Sequence, residues 1–425
     1  MALDADIGVI GPQPLVLWVV VDRGDPGAAA RFKIVAEVAD HHRAAWDAAP
    51  ASAVMVGDFR YDLEAGRRYL ADTVADGWHV PTWPAEHGGR KASSSQNALI
   101  GSILREFIVP DLYPFAIGLG MVGPALLAHG NSSQQDKWLK AIASGTSIWC
   151  QMFSEPEAGS DLANVALQAK LDGDEWVVEG QKTWTSRAMW ADWAICLART
   201  DPAQPKHKGL TMFAMPMAIP GVEIRPLMQM NRDAHFSEVF VEGARLSDEW
   251  RIGDVGEGWR VAMTVLAHER AGGGSRGGGD GSTRGAHIPS WISDLQALPT
   301  PQNAIWDDAV MGLYSHDAVS RWTMQRASDE ARSSGSPGPA GSGAKLRTVK
   351  SYKGRAYLAN QSSGAYGMLE DGHGYIELMT APSMSIRGGT DEIQRNILGE
   401  RVLGLPGEPR LDRDVPWKES RRGLI

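Results

Sequence analysis

Two short polar stretches carry residue types that could hold a flat, hydrogen-bonding ligand. The first is CQMFSEPEAGSDL at Cys150–Leu162, and the second is GQKTWTSR at Gly180–Arg187. Pro156 and Gly159 favour a tight, non-repetitive backbone, which can point N–H groups at a ligand. The second stretch puts a tryptophan and two hydroxyl residues at the end of a predicted strand. Two polar turns on a β-domain would give the same pattern, so both interpretations stay open at this point.

The composition argues against several classes of function. The chain has 425 residues, 43% of them hydrophobic, which is enough for about two or three domains. Lys and Arg number 42 against 51 Asp and Glu, and this net charge of −9 without a basic block argues against nucleic-acid binding. The cysteines, Cys150 and Cys196, give neither a disulfide framework nor the spacing of a metal site. Their apolar contexts predict buried thiols, which is consistent with a reducing cytoplasm.

The start of the chain shows no targeting segment. Its longest apolar run, LVLWVVV at Leu15–Val21, is far too short to cross a bilayer. The run also lacks the basic flank and the small-residue cleavage site of a signal peptide. We therefore expect no membrane span and a cytoplasmic protein.

Hydrophobic periodicity divides the chain into three parts. Helical spacing begins at Ile34 and continues to the helix Gln134–Ala143, for which Asn131, Ser132 and Ser133 offer an N-cap. From Thr146 the pattern changes to short strands, with a hairpin signal at Asp172–Asp174, and this is typical of a small β-barrel or sandwich. The helical period returns at Trp259. The expected domains are an N-terminal helical domain at 33–145, a β-domain at 146–250 and a C-terminal helical domain at 251–425, with residues 1–32 unassigned.

The individual predicted elements follow the same patterns. The strands after the hairpin are Trp193–Arg199, Leu210–Pro216, Gly221–Arg225 and Ser237–Val241. The helices are Ala98–Ile108, Phe115–His129, Gln134–Ala143, Trp259–Arg270, Trp306–Ala331, Lys345–Gln361 and Asp391–Val402. The glycine-rich Gly272–Gly281 is predicted to be a flexible loop, because it lacks the phosphate-binding pattern Gly-x-x-x-x-Gly-Lys-Ser/Thr. Ser333–Gly343, SSGSPGPAGSG, is predicted to be a turn-rich connection.

Taken as a pair, the two polar stretches resemble the signature motifs of the acyl-CoA dehydrogenase family. Those motifs read roughly Thr-Glu-Pro-x-Ala-Gly-Ser-Asp and Gly-x-Lys-x-Trp-Ile-Thr/Ser. Ser154 stands where the family usually has Thr, and the chain matches at Glu155, Pro156, Ala158, Gly159, Ser160, Asp161, Lys182, Trp184 and Ser186. The resemblance implies an α+β fold with an N-terminal α-helical domain, a middle β-barrel or sandwich domain and a C-terminal four-helix-bundle domain.

The resemblance also implies a reaction, the FAD-dependent α,β-dehydrogenation of an acyl-CoA thioester to a 2,3-enoyl-CoA. The α-proton needs a carboxylate base in a dry cleft, where desolvation raises the pKa of the carboxylate. The hydride is expected to go to flavin N5, because the flavin carries the redox chemistry. Electrons would then pass to an electron-transfer flavoprotein.

The usual position of the catalytic base is vacant in this sequence. Many members carry the base in Tyr-Glu-Gly-Thr, but the Glu position here is Gly388, which cannot accept a proton. Other members place the base in a Glu-Arg pair on the first helix of the C-terminal domain, and this chain has Glu269-Arg270 there. The resemblance therefore implies Glu269 as the base, with Arg270 at the substrate and His268 as a weaker candidate for the base. A surface or ion-paired role for Glu269 is the alternative.

The remaining site residues carry over from the family by position. The backbone N–H of Gly388 would help to hold the thioester carbonyl and stabilise the enolate-like charge. Phe153 and Ser154 would meet the pyrimidine edge of the flavin, and Trp184 would cover one face of the ring. The other implied FAD contacts are Gly159 and Ser160 at a phosphate, Ser186 towards N5, Gln361, and Thr390 and Glu392 at a helix N-terminus near the adenine-side phosphates. No metal site is expected.

One departure from the family pattern leaves alternatives open. The family usually carries Arg-x-x-Phe-Gly, which reaches the FAD of a neighbouring subunit, but the corresponding Arg332–Pro337 has no Phe. Members with Gly-Gly-Thr, Glu-Arg and a Pro-Gly-Pro connection resemble a bacterial group that acts on steroid-side-chain and other bulky CoA esters. The resemblance implies a homodimer or tetramer, and also admits a heterotetramer in which this chain is a non-catalytic partner subunit. A flavin oxidase or monooxygenase on the same fold is the other alternative.

Overall fold

The computed structural model describes residues 7–10, 17–20, 54–56, 59–104, 110–272, 290–296, 303–334, 339–369, 374–409 and 411–420. Contacts between Cα atoms divide the chain into two compact units. The first comprises residues within 1–56, 60–150 and 190–193, and the second comprises residues within 57–59, 151–189 and 194–425.

The first unit is mainly helical after its short N-terminal strands. The strands are β1 (Ile7–Ile10), β2 (Leu17–Val20), β3 (Val54–Val56) and β4 (Phe59–Tyr61), and β1 pairs antiparallel with β2. The helices are α1 (Leu63–Thr73), α2 (Ser94–Leu104), α3 (Gly123–His129) and α4 (Ser132–Ala143). Of the three predicted cap residues, Asn131 is the cap, and Ser132 and Ser133 already belong to α4. The Asn131 side chain accepts from the Gln134 N–H, and the Gln134 side chain accepts in return from the Asn131 N–H.

The predicted helix Phe115–His129 is confirmed, but it contains a π-type turn that was not predicted. A π-type turn occupies Gly118–Val122 before α3 begins. Pro124 has no N–H and cannot donate to the carbonyl of Gly120, so a regular α-helical ladder cannot pass through this point. A methyl group on Gly123 would lie 1.9 Å from the ring of Trp83, so that the ring packs directly against the backbone.

Tryptophans supply much of the core of the first unit. The rings of Trp138 and Trp149 meet edge to face at 5.6 Å, and Trp149 stacks on Trp193 at 5.8 Å. Trp138 and Trp149 are almost completely buried. Pairs of this kind add to the stabilisation from burial alone.

A mostly antiparallel sheet dominates the N-terminal part of the second unit. Its strands are β5 (Trp149–Met152), β6 (Gln168–Asp172), β7 (Glu175–Ser186), β8 (Trp193–Arg199), β9 (Leu210–Pro216), β10 (Val222–Leu227), β11 (Phe236–Ser247) and β12 (Arg251–Ile252). Neighbouring strands follow the order β10-β11-β7-β6-β8-β9-β12. The predicted hairpin is confirmed, with Gly173 in the left-handed region at φ +69°. Strand β11 is longer than predicted, because it pairs with the whole of β7.

The remainder of the second unit is helical, as predicted. Its helices are α5 (Gly258–Gly272), α6 (Ser290–Gln296), α7 (Ala304–Ser334), α8 (Ala340–Ser362), α9 (Tyr375–Thr380), α10 (Asp391–Arg401) and α11 (Trp417–Ser420). Ile292 and Leu295 of α6 pack with Val310 of α7 and Leu358 of α8 in a buried cluster. The predicted flexible loop Gly272–Gly281 lies outside the described residues after Gly272. None of the described helices has the combined length and apolar character needed to cross a bilayer.

The predicted connection Ser333–Gly343 is wrong at both ends. Helix α7 continues to Ser334, and α8 begins at Ala340 directly after Pro339. Pro339 has φ −68°, which is already a helical value. Ser342 is 3% exposed, and Gly343 faces Leu398 of α10, so tertiary packing overrides the weak helix propensity of the Gly-Ser sequence.

Candidate active site

The two polar motifs are joined by a buried ion pair. Lys182 Nζ lies 2.9 Å from Glu155 Oε1 and 2.9 Å from the carbonyl oxygen of Phe153, and Lys182 is fully buried. The Glu155 carboxylate also accepts from the backbone N–H groups of Ala166 and Leu167. Both charges are therefore paired and hydrogen-bonded, which offsets the cost of removing them from water. The pair fixes the turn at Glu155 against strand β7.

A β-bulge and a strained backbone set the position of Trp184. The register between β7 and β11 shifts so that Thr183 and Trp184 lie opposite Glu238 alone. Trp184 has φ +54°, a left-handed conformation that costs a residue with a side chain about 1–3 kcal/mol. Bulges re-aim side chains. Trp184 is 59% exposed, and its ring meets the Phe236 ring edge to face at 5.8 Å.

The residues around Trp184 fit a flat aromatic cofactor such as a flavin. Ser186 shares the more exposed side of β7 with Trp184, whereas the alternate Thr183 and Thr185 are buried. The carbonyl groups of Phe153 and Ser154 already accept from Lys182 and from the Thr183 N–H. The Ser154 hydroxyl and the N–H groups there are therefore the groups that can meet the edge of a ring.

The Gly159–Ser160 turn also fits a ligand. A methyl group on Gly159 would meet no atom within 4 Å, and the residue has no left-handed backbone. Neither packing within the chain nor backbone conformation requires a glycine at this position. Glycine commonly serves where a ligand approaches the backbone closely, and Ser160 beside it is exposed.

The predicted catalytic residues Glu269 and Gly388 meet in the structure. A methyl group on Gly388 would lie 3.9 Å from Glu269 Oε1, an ordinary van der Waals distance. Helix α5 thus delivers a carboxylate to the place where a side chain at residue 388 would begin. The Glu269 side chain is half-buried there.

The loop that carries Gly388 is held by α10. Gly388 and Gly389 are both left-handed, with φ +67° and +81°. The buried Gln394 donates from Nε2 to the Gly388 carbonyl at 2.9 Å. Thr390 caps α10 by accepting from the Ile393 N–H at 3.2 Å, which leaves the N-terminus of the helix next to the glycines.

The surroundings of the other predicted site residues are as follows. Glu392 is exposed and paired with Arg395 at 3.2 Å, so its carboxylate does not suit a phosphate, although the N-terminus of its helix does. Gln361 is exposed and donates to the Tyr357 hydroxyl at 2.9 Å. Desolvation lowers the pKa of His268, which keeps its imidazole neutral at pH 7. The side chain of Arg270 lies outside the described part of the chain.

Two polar groups near these motifs were not predicted from sequence. Gln394 is one. Its place between Ile393 and Ile397 on the apolar side of a predicted helix is the sequence signal that could have indicated it. The other is the buried pair of Asp233 and His235, in which the His235 Nδ1 and an Asp233 carboxylate oxygen are hydrogen-bonded. No pattern of spacing in the sequence distinguishes that pair from an ordinary loop. Within the described residues, no group of three or more His, Cys, Asp or Glu is arranged to hold a metal ion.

Three family comparisons match almost the whole of the chain after residue 35. The N-terminal domain of acyl-CoA dehydrogenases matches residues 36–146, the middle domain residues 150–244 and the C-terminal domain residues 256–403. The acyl-CoA dehydrogenase IpdE1 of Mycobacterium tuberculosis is 38% identical over 362 residues, which are 82% of this chain and 90% of that protein.

Solved structures show the same fold. A complex described as the Tcur3481–Tcur3483 steroid ACAD has a TM-score of 0.71 at 24% identity, covering 90% of this chain and 99% of that chain. The ChsE4–ChsE5 complex from Mycobacterium tuberculosis has a TM-score of 0.64 at 24% identity, covering 89% and 97%. The matched domains, the close relative and the shared fold agree with the motif geometry, and this chain belongs to the acyl-CoA dehydrogenase family of FAD-dependent oxidoreductases.

Proposed function

We propose that the protein dehydrogenates an acyl-CoA thioester to a 2,3-enoyl-CoA and that Glu269 is the base that removes the α-proton. The observation that supports this most directly is that a methyl group placed on Gly388 would lie 3.9 Å from Glu269 Oε1. The Glu269 carboxylate belongs to α5, but it lies next to residue 388, the position that carries the base in many members of the family. The Gly388 N–H donates to no acceptor among the described residues, which leaves it available to a thioester carbonyl.

Different residues of this chain have different roles in the proposed reaction. Glu269 takes the α-proton, and the Gly388 N–H stabilises the negative charge that develops on the thioester oxygen. Trp184 would cover one face of a bound flavin, and Ser186 and the Phe153–Ser154 backbone would orient its ring. Bound FAD would supply the acceptor for the β-hydride.

Further contacts complete the proposed site. Ser160 and the N-terminus of α10 at Thr390 and Glu392 bind phosphates, Gln361 contacts the FAD, and Arg270 contacts the substrate. The domain limits 33–145, 146–250 and 251–425 belong to this proposal as well.

We propose bulky acyl groups, including steroid-derived ones, as the substrate class. The Gly-Gly-Thr segment and the Glu-Arg pair support this assignment, as does the description of a structural neighbour as a steroid ACAD. A screen of CoA esters of increasing bulk with an artificial electron acceptor tests it. Preference for short straight-chain esters would contradict this substrate class.

Glu269→Gln tests the assignment of the base. The amide keeps the shape of the side chain but cannot accept the proton, so we expect turnover to fall by roughly two orders of magnitude or more. The flavin content should stay at the wild-type level. Glu257→Gln, an exposed change just before the same helix, is the matched control and should leave turnover unchanged. Near-normal turnover of Glu269→Gln would contradict the assignment, and loss of turnover in His268→Gln alone would move it to His268.

Assembly is the point on which a second function depends. Two of the structural neighbours are named as complexes of two different chains. A heterotetramer in which this chain is non-catalytic predicts a purified chain that stays colourless until its partner is added.

Electron acceptors separate the remaining possibilities. A dehydrogenase should reduce an electron-transfer flavoprotein and consume little oxygen when no other acceptor is present. Rapid oxygen consumption under those conditions would instead favour the flavin oxidase or monooxygenase.

A further inference from the structure

The side-chain amide of Gln394 is buried, and its hydrogen bonding allows only one of its two flipped orientations. Gln394 is 1% exposed, and its Nε2 donates to the Gly388 carbonyl oxygen at 2.9 Å. Its Oε1 is buried and meets no hydrogen-bond donor among the described residues. Turning the amide over would bring Oε1 against the carbonyl oxygen, and two acceptors cannot bond each other. The amide is therefore held as a donor to Gly388.

The glycine at residue 389 makes this contact possible. A methyl group on Gly389 would lie 2.6 Å from Gln394 Nε2, closer than nonbonded atoms approach. Gly389 is also left-handed, with φ +81°, which disfavours any residue with a side chain.

Gly388 is fixed on both sides. Before it, the N–H groups of Ile386 and Arg387 both donate to the carbonyl of Ser383 at 3.0 Å. After it, the peptide that joins Gly388 to Gly389 is held by Gln394. A glycine at φ +67° has no side chain to limit its rotation, so these flanking bonds determine the direction of its N–H.

We propose that Gln394 is a positioning residue for the dehydrogenation, which holds the Gly388–Gly389 peptide so that the Gly388 N–H meets the charge on the thioester oxygen. This inference rests on the proposed function, in which that N–H binds the thioester. A donor that is oriented before the reaction stabilises developing charge without reorganising, and small misplacements of it are costly.

Two CoA esters of equal carbon number separate charge stabilisation from simple binding. Acetoacetyl-CoA is readily enolised and mimics the negative charge on the thioester oxygen, whereas crotonyl-CoA is a neutral enoyl thioester. Gln394→Met keeps the size of the side chain and removes the donor. In the FAD-loaded enzyme we expect Gln394→Met to weaken the binding of acetoacetyl-CoA by about tenfold or more. The binding of crotonyl-CoA should weaken by less than about twofold. We also expect kcat to fall while KM stays near the wild-type value.

A second variant and a control complete the test. Gln394→Glu can donate to the carbonyl only when it is protonated, so its affinity for acetoacetyl-CoA relative to wild type should recover as the pH falls. Asn396→Ala, an exposed change on the same helix, should change neither affinity. Equal weakening of both esters, or an unchanged ratio of affinities in both Gln394 variants, would overturn the role of Gln394. A wild-type enzyme that does not prefer acetoacetyl-CoA would overturn the proposed function of Gly388 itself.

Discussion

The residues that the two motifs share with the family serve different purposes. Trp184 is exposed at a strained position, as a ligand contact requires, whereas Lys182 and Glu155 are buried against each other. A match to a signature therefore does not by itself assign a residue to the ligand. Lys182 and Glu155 hold the frame in which Phe153 and Trp184 are placed.

Loss of one partner of this buried pair should be severe. Lys182→Met leaves the Glu155 carboxylate buried without its cation, and we expect the free energy of unfolding to fall by about 3–5 kcal/mol. Flavin retention should fall with it, because Lys182 also holds the Phe153 carbonyl. Denaturant unfolding of the FAD-free protein measures the first effect, and the absorbance of the purified protein measures the second.

The double variant is the control for the buried charge. Lys182→Met combined with Glu155→Gln removes both charges, so it should be more stable than Lys182→Met alone. A double variant that loses as much as the sum of the two single variants would show that the charges are not coupled.

At the scale of the elements, α10 is anchored at its first turn by another ion pair. Asp391 lies 2.7 Å from Lys345 Nζ of α8 and accepts from the Ser385 hydroxyl, and its side chain is 14% exposed. Burial alone would raise the pKa of Asp391, but the hydrogen bonds from Lys345 and Ser385 outweigh it and hold the pKa below its ordinary value. The same helix carries Thr390 and Gln394, so the pair helps to place the Gly388 loop.

The lowered pKa of Asp391 sets the sign of a pH effect. Because the folded state binds this proton more weakly than the unfolded state, the stabilisation is present above the ordinary pKa and is lost as the pH falls through the folded value. Asp391→Asn should lower the free energy of unfolding by about 1.5–3 kcal/mol at pH 7, the range for a hydrogen bond to a charged group. The difference between variant and wild type should shrink below about pH 4. A difference that stays constant across that range would exclude the ion pair as its source.

Elements with a strong local pattern could be predicted from sequence, and those set by packing could not. The limits of β8 and β9 follow from short apolar runs between turns, and the cap of α4 is one of the three candidates Asn131, Ser132 and Ser133. Pro124 indicates that the helical ladder is interrupted before α3, but the close packing of Trp83 on Gly123 is not visible in any local pattern. The start of α8 likewise depends on contacts with α10. The bulge at Trp184 is a matter of register between two strands, which the sequence of one strand does not contain.

At the scale of the whole molecule, the candidate site is assembled from parts distant in sequence. The resemblance to the family implied Glu269 as the base, because residue 388 is a glycine and a Glu-Arg pair exists elsewhere, and that assignment stays a prediction. Only the three-dimensional structure shows that the Glu269 carboxylate lies 3.9 Å from where a methyl group on Gly388 would be. The role proposed for Gln394 and the contacts of the C-terminal segment, residues 411–420, came only from the three-dimensional structure. Gln394 bonds to a backbone carbonyl six residues away and Trp417 to a side chain 253 residues away, and no local pattern in the sequence indicates either bond.

The C-terminal segment provides the most distant of these contacts. Trp417 is 7% exposed, and its Nε1 donates to Asn164 Oδ1 at 2.8 Å, across 253 residues of sequence. The guanidinium of Arg199 lies 4.6 Å from the centre of the Trp417 ring and donates to the Ala163 carbonyl at 2.6 Å. These bonds hold the turn that directly follows Ser160, one of the residues proposed to bind a phosphate of FAD.

A second bond from the segment reaches the same turn. Lys206 Nζ bridges Asp412 at 2.6 Å and Asp161 at 3.0 Å, and Asp161 follows Ser160 directly. The C-terminal segment therefore contacts the turn after Ser160 both through the Trp417 ring and through the bridge that Lys206 forms. Removing the Trp417 ring should increase the mobility of the turn after Ser160 even if the rest of the chain stays folded.

We expect Trp417→Ala to weaken FAD binding as well as stability. The loss of a buried tryptophan costs about 3–5 kcal/mol, and part of that loss falls on the turn at Ser160. Titration of the FAD-free variant with FAD measures the affinity, and thermal unfolding of the same sample measures stability. Leu411→Ala, in the same segment but 75% exposed, is the matched control and should change neither. If Trp417→Ala lowered the melting temperature but bound FAD with wild-type affinity, the segment would support only the fold, because a turn that needs Trp417 for its geometry cannot keep its phosphate contacts without it.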